Sequence, residues 1–130
     1  MRESGCPIPI WGAEPELAND AARSFRGGTL IRNESEPATI ADGVRTLALG
    51  AANWPIIRDN AAGIIEVSDP EIVQSLKLLF GCANLKAEPT GALSLAAAIK
   101  AKEQFTDTRV CCVVSGGNVD LPVLTALLTD

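Results

Sequence analysis

RVCCVVSGGNVDL, residues 109–121, is an apolar run that stops at a serine, two glycines and an asparagine. No polar residue interrupts Val110 to Val114, so both faces of a strand here are apolar, which predicts a strand covered on both sides. Such strands belong to parallel sheets between helices, and α/β proteins hold their ligands where those strands end. Upstream of this run, strand and helix signals alternate. PIPIWGA (7–13) and GIIEV (63–67) read as the other strands, placing three near residues 8–13, 63–67 and 109–114.

Between them, Leu17, Ala21, Ala22 and Phe25 recur at helical spacing, and Gly27 and Gly28 end that helix. ADGVRTLALG (41–50) and NWPIIRDNAAG (53–63) predict two short helices. Ser68 and Glu71 are spaced as a capping box, opening a helix that carries Ile72, Leu76 and Leu79 to about Phe80. Pro89 opens an alanine-rich helix running to about Phe105, with an expected buried stripe of Ala92, Leu95, Ala96 and Ile99. DLPVLTALLTD closes as a short apolar helix or extended tail. The expected fold is therefore α/β, three-layered, with a small, mostly parallel sheet of about three strands, and residues 1–130 form one domain.

Composition removes several functions. The net charge is −5 with no run of Lys or Arg, which argues against nucleic acid. No stretch approaches the length of a membrane span, and MRESGCPIPIWG lacks the apolar segment of a signal peptide, so a cytoplasmic protein is expected. Cys6, Cys82, Cys111 and Cys112 show neither CxxC nor metal spacing and read as buried thiols. The absence of histidine rules out a histidine-based triad and His-ligated zinc.

Four blocks taken in order are WGAEPELANDAARSF (11–25), PATIADGVRTLALGAANWPIIRD (37–59), AEPTGALSLAAAI (87–99) and VCCVVSGGNVDL (110–121). From about Ile8 to Leu121 they resemble the carboxyl-terminal part of fold type II pyridoxal-phosphate enzymes, the threonine/serine dehydratase and serine racemase family. The resemblance implies a partial large domain whose cofactor is pyridoxal phosphate and whose chemistry is elimination from, or racemisation of, a small amino acid. The family's covalent cofactor lysine and its glycine-rich phosphate loop have no match in these residues. The resemblance thus implies a fragment or split subunit, inactive alone, which a complementing amino-terminal chain would complete. The alternative is a non-catalytic α/β module or pseudoenzyme that binds a small ligand or itself. Uncovered apolar faces also predict a homo-oligomer burying more than about 1,000 Å².

The resemblance assigns Ser115 to the pyridine nitrogen, followed by Gly116; read without it, Ser-Gly-Gly-Asn is a strand-ending turn. Glu88 would lie near the cofactor ring, or be an acid in the first turn of a helix. Gly43 would let the backbone approach the ring, or belong to an Asp-Gly turn. Glu14, the Ala18 carbonyl and Asp20 match the family's Mg²⁺ or Ca²⁺ site, whereas acids here also favour a helix amino terminus. Lys86 stands where an aliphatic residue is expected. It reads as a surface lysine paired with Glu88, the sharper alternative being a substitute covalent lysine. No catalytic residue is assigned.

Overall fold

A computed structural model describes residues 8–129; residues 1–7 and 130, and with them Cys6, lie outside the described residues. The order is β1 (Ile10–Pro15), α1 (Asp20–Gly27), α2 (Asn53–Asn60), β2 (Ala61–Val67), α3 (Asp69–Ala83), α4 (Pro89–Lys100) and α5 (Leu121–Thr129). Single 3-10 turns sit at Glu16–Ala18, Asp42–Val44 and Lys102–Phe105.

The α/β class is confirmed. β1 and β2 pair in parallel, with Gly12 opposite Ile64 and Glu14 opposite Glu66. The pleat divides their side chains between two faces. Trp11, Ala13 and Ile65 turn toward α4, while Gly12, Glu14 and Ile64 turn toward α1 and α2. Helices thus cover both sides of the sheet. Gly63 lies beneath the indole of Trp11, where a Cβ would fall inside the ring's contact distance. Trp11 also meets Phe105 edge-on, with ring centroids 5.9 Å apart.

The capping box forms: the Glu71 carboxylate accepts from the Ser68 amide at 2.6 Å and from its hydroxyl at 2.9 Å. It starts α3 in the orientation that buries Ile72, Leu76 and Leu79 against Ala92, Leu93 and Ala96 of α4. The buried stripe of α4 is Ala92, Leu93, Ala96 and Ala97 rather than the expected Ala92, Leu95, Ala96 and Ile99. The helix is wedged between α3 and the sheet, and that rotation leaves Ile99 exposed. Lys100 ends it, donating to Glu16 at 2.7 Å and to Glu71 at 3.0 Å.

Three further expectations are corrected. Among the described residues the sheet has two strands, and residues 109–114 join no ladder. Val113 is 70% exposed, and only alternate residues, Cys112 and Val114, are partly covered. The segment is tied on one side alone, where the Ser94 hydroxyl of α4 donates to the Val113 carbonyl at 2.9 Å. The helix expected across 41–50 contracts to the turn Asp42–Val44, because the Thr39 hydroxyl and Ile40 amide both donate to Asp69 and anchor its start to α3. The thiols of Cys82 and Cys111 are exposed and that of Cys112 half-buried, all three free. Among the described residues no helix is long and apolar enough to cross a membrane.

Candidate functional site

Three separate stretches of chain meet at the amino end of α4. Glu88 precedes the helix in an extended conformation, and Pro89 occupies its first turn, where the missing N–H has no consequence. The Glu88 amide donates to the Gly116 carbonyl at 3.1 Å, fastening the turn after residues 109–114 to the helix start. On the other side the Gly43 amide donates to Thr90 Oγ1 at 3.0 Å.

The glycines are what permit this seam. A Cβ on Gly91 would stand 2.5 Å from the Gly116 carbonyl oxygen. One on Gly116 would collide with the Glu88 carboxylate, and one on Gly117 with the Lys86 carbonyl. A Cβ on Gly43 would press on Thr90 Oγ1 at 3.0 Å. Backbone approaches backbone here more closely than any side chain allows. Residues 42–43, 86–91 and 115–117 consequently form one surface, on which the Ser115 hydroxyl is exposed and makes no hydrogen bond to another described residue.

Ser115, Gly116, Glu88 and Gly43, expected at one site from three distant motifs, are brought to one end of one helix. Thr90 and Gly91, the residues through which the other two segments lock onto α4, were not singled out in the sequence. A glycine two places after the opening proline was the available signal, since glycine early in a helix is unfavourable unless something approaches closely. Lys86 is exposed and makes no ion pair with Glu88.

The second expected group behaves differently. Both oxygens of Glu14 are engaged by the first turn of α1, accepting from the Ala21 amide at 3.1 Å and the Ala22 amide at 2.7 Å. Burial pushes the Glu14 pKa up to about 7, against the lowering effect of those amides, and the charges of Asp20 and Glu66 add to the rise. Asp20 is also raised by burial and accepts from the Asn33 side chain at 2.8 Å. Ala18 is fully buried. Among the described residues no group of three or more Cys, Asp or Glu side chains could hold a metal ion. The arrangement therefore does not support the expected cation site of Glu14, Ala18 and Asp20. Glu14 serves as a side-chain cap of α1 reached from the neighbouring strand.

A family model described as "Pyridoxal-phosphate dependent enzyme" matches residues 1–116. The chain is 44% identical over 119 residues to an L-threo-3-hydroxyaspartate ammonia-lyase from Pseudomonas sp., covering 92% of this chain and 37% of that protein. It is 41% identical to the serine racemase of Schizosaccharomyces pombe, covering 86% of this chain and 34% of that protein. Among solved structures, maize serine racemase superposes with a TM-score of 0.83 at 38% identity, covering 92% of this chain and 37% of that one. The serine racemase from Dictyostelium discoideum superposes with a TM-score of 0.80 at 36% identity, covering 92% of this chain and 38% of that one. The chain thus spans little more than a third of the relatives it matches.

Proposed function

The chain belongs to the family of pyridoxal-phosphate-dependent enzymes, and from that premise we propose that it carries the ring-facing part of an amino-acid lyase or racemase site. One observation carries the proposal: Ser115 and Gly116, Glu88, and Gly43, from three distant motifs, share one surface at the start of α4. The residues suit the cofactor's ring. The Ser115 hydroxyl is uncommitted among the described residues, and as a neutral group it can donate to a pyridine nitrogen without protonating it. Glu88 would flank the ring, and the Gly43 backbone would approach it without a side chain between. When bound, the cofactor supplies an electron sink for the electrons left at an amino acid's α-carbon.

These residues would orient the ring, but removing the α-proton needs a positioned base, a contribution of about 10²–10⁴-fold. No matched residue supplies it. Residues 1–130 are read as one partial domain, the carboxyl-terminal half of a large domain, a fragment or split subunit inactive without the remainder that the relatives carry. The complemented substrate class is a small hydroxyamino acid such as L-serine or L-threonine.

The test is keto-acid release from L-serine and L-threonine in the presence of pyridoxal phosphate, with borohydride trapping and peptide mapping. The chain alone is expected to release none and to trap no specific lysine. Turnover should return when a polypeptide carrying the missing lysine and phosphate loop is added. Turnover by this chain alone, with specific trapping at Lys86, would refute the proposal.

A further inference from the structure

The place of Gly43 beside α4 is set from outside its own turn. Asp42–Val44 is a single 3-10 turn. Its internal bonds, from the Val44 amide to the Ala41 carbonyl and from the Arg45 amide to the Asp42 carbonyl at 3.2 Å each, fix its shape alone. Toward α4 the Gly43 amide donates to Thr90 Oγ1 at 3.0 Å. The opposite side is held by Asp69, at the start of α3. Thr39 Oγ1 donates to one of its oxygens at 2.6 Å and the Ile40 amide to the other at 3.1 Å. Thr39, only 1% exposed, carries the hold forward. Its hydroxyl accepts from the Ala41 amide at 3.3 Å, and its carbonyl accepts from Arg45 Nε at 2.8 Å. Burial of Ala41 in the core draws this segment inward, whereas hydrogen bonds, being directional, set its angle.

Asp69 is spared for this task by its neighbours. An acid in the first turn of a helix ordinarily serves that helix, through its amides or its dipole. In α3 that work falls to Ser68 and Glu71, and among the described residues neither oxygen of Asp69 accepts from an α3 amide. Gly43 in turn lies flush on Thr90, where an added Cβ would stand 3.0 Å from Oγ1 and 3.1 Å from Cγ2. No side chain of Gly43 lies between to absorb a displacement, so a shift of the turn is a shift of the surface.

We propose that Asp69, acting through Thr39 and Ile40, is a positioning residue for the ring-facing surface, fixing how Gly43 stands over the start of α4. Asp69 is no part of that surface. The proposal rests on the reading that Gly43, Glu88 and Ser115 face the cofactor ring, and it adds what sets their spacing on the Gly43 side.

The experiment uses the full chain, isotope-labelled for residue-resolved amide exchange. Asp69→Ala removes the acceptor and Thr39→Val the hydroxyl, while Thr39→Ser keeps the hydroxyl. The Ala92 amide in α4 serves as internal reference. A hydrogen bond to a charged acceptor is worth about tenfold or more in an opening equilibrium. The Gly43 amide should therefore exchange at least ~10-fold faster in Asp69→Ala and Thr39→Val while Ala92 keeps its rate. Thr39→Ser should restore the parent's rate. Titration with pyridoxine 5′-phosphate, which carries the cofactor's ring but no aldehyde to react with lysines, then probes the surface. In the parent the amide signals of Gly43, Ser115 and Gly116 should shift together. In Asp69→Ala the Gly43 response should be lost while Ser115 and Gly116 still respond. Parent-like exchange at Gly43 in both loss variants would overturn the proposal. So would equal acceleration at Gly43 and Ala92, which is general loosening, or a Thr39→Ser protein that behaves as Thr39→Val. A parent that ignores the ring compound while Gly43 exchange still depends on Asp69 would remove the functional reading and leave the tether standing. A parent that responds, with Asp69→Ala responding identically, would do the reverse.

Discussion

Replacing a helical glycine by alanine ordinarily stabilises a protein by about 0.5–1 kcal/mol. At Gly91 the sign should invert. The new Cβ would lie 2.5 Å from the Gly116 carbonyl oxygen, 3.3 Å from the Gly116 amide nitrogen and 3.4 Å from Val114 Cγ1. The nearest obstacle is backbone, so no rotamer change relieves it. Either α4 shifts on α3 or residues 115–117 move outward, and the latter breaks the 3.1 Å hydrogen bond from Glu88 to Gly116. Overpacking of this kind costs about 1–3 kcal/mol and a lost hydrogen bond about 1 kcal/mol, which together exceed the propensity gain. Gly91→Ala should therefore destabilise by about 1–3 kcal/mol, lowering the urea midpoint by roughly 1 M for a slope of about 1–3 kcal/mol per M. Gly81, in α3, supplies the control because a Cβ there meets nothing within 4 Å. Gly81→Ala should raise the midpoint. Urea unfolding of both variants followed by circular dichroism decides the matter, and a Gly91→Ala protein as stable as its parent would refute the seam.

The raised pKa of Glu14, about 7, means that the folded state holds its proton more tightly than the unfolded chain does. Its contribution is present below the unfolded value of 4.5 and is lost as pH rises to about 7. Discounted for partial solvent access, the loss is about 2 kcal/mol. Glu14→Gln should abolish that part of the decline in urea midpoints between pH 4.5 and 7.5, and an unchanged slope would contradict it. Gly28 closes α1 at φ +69°, so Gly28→Ala should lower the thermal midpoint, by about 1 kcal/mol in stability, although open space surrounds the site. With a thiol reagent, Cys82 and Cys111 should be labelled before Cys112, whose thiol burial pushes to a higher pKa. Mass mapping of the first labelled peptides checks the order.

The parts legible in the sequence are those whose cause is local. Ser68 and Glu71 announce the start of α3 because a capping box is made by residues three apart. Pro89 announces α4 in the same way. Residues 109–114 show the limit of such reading: their composition records the burial a strand needs, while strand pairing depends on a neighbour that no local signal supplies. The rotation of α4, which buries Leu93 and Ala97 instead of Leu95 and Ile99, likewise follows from two opposing contact faces. At the candidate site, motif resemblance singled out Ser115, Glu88 and Gly43, which the fold brings to one end of α4. Their locking through Thr90 and Gly91 depends on distances between segments 47 residues apart and more than 20 apart, which spacing along the chain does not encode. Glu14 was legible as an acid beside a helix, but not as a carboxylate whose two oxygens that helix would occupy.

Among the described residues, eight of the fifteen buried apolar residues are alanines, including Ala18, Ala41, Ala87 and Ala92, each fully enclosed. An alanine surrenders no rotamer freedom on folding, and it removes little hydrocarbon from water. The heat-capacity change of unfolding scales with the apolar area exposed, so this chain should fall below the usual ~12–15 cal/mol/K per residue. Its free energy should consequently vary less with temperature, giving a shallow stability dome and a weak tendency toward cold unfolding.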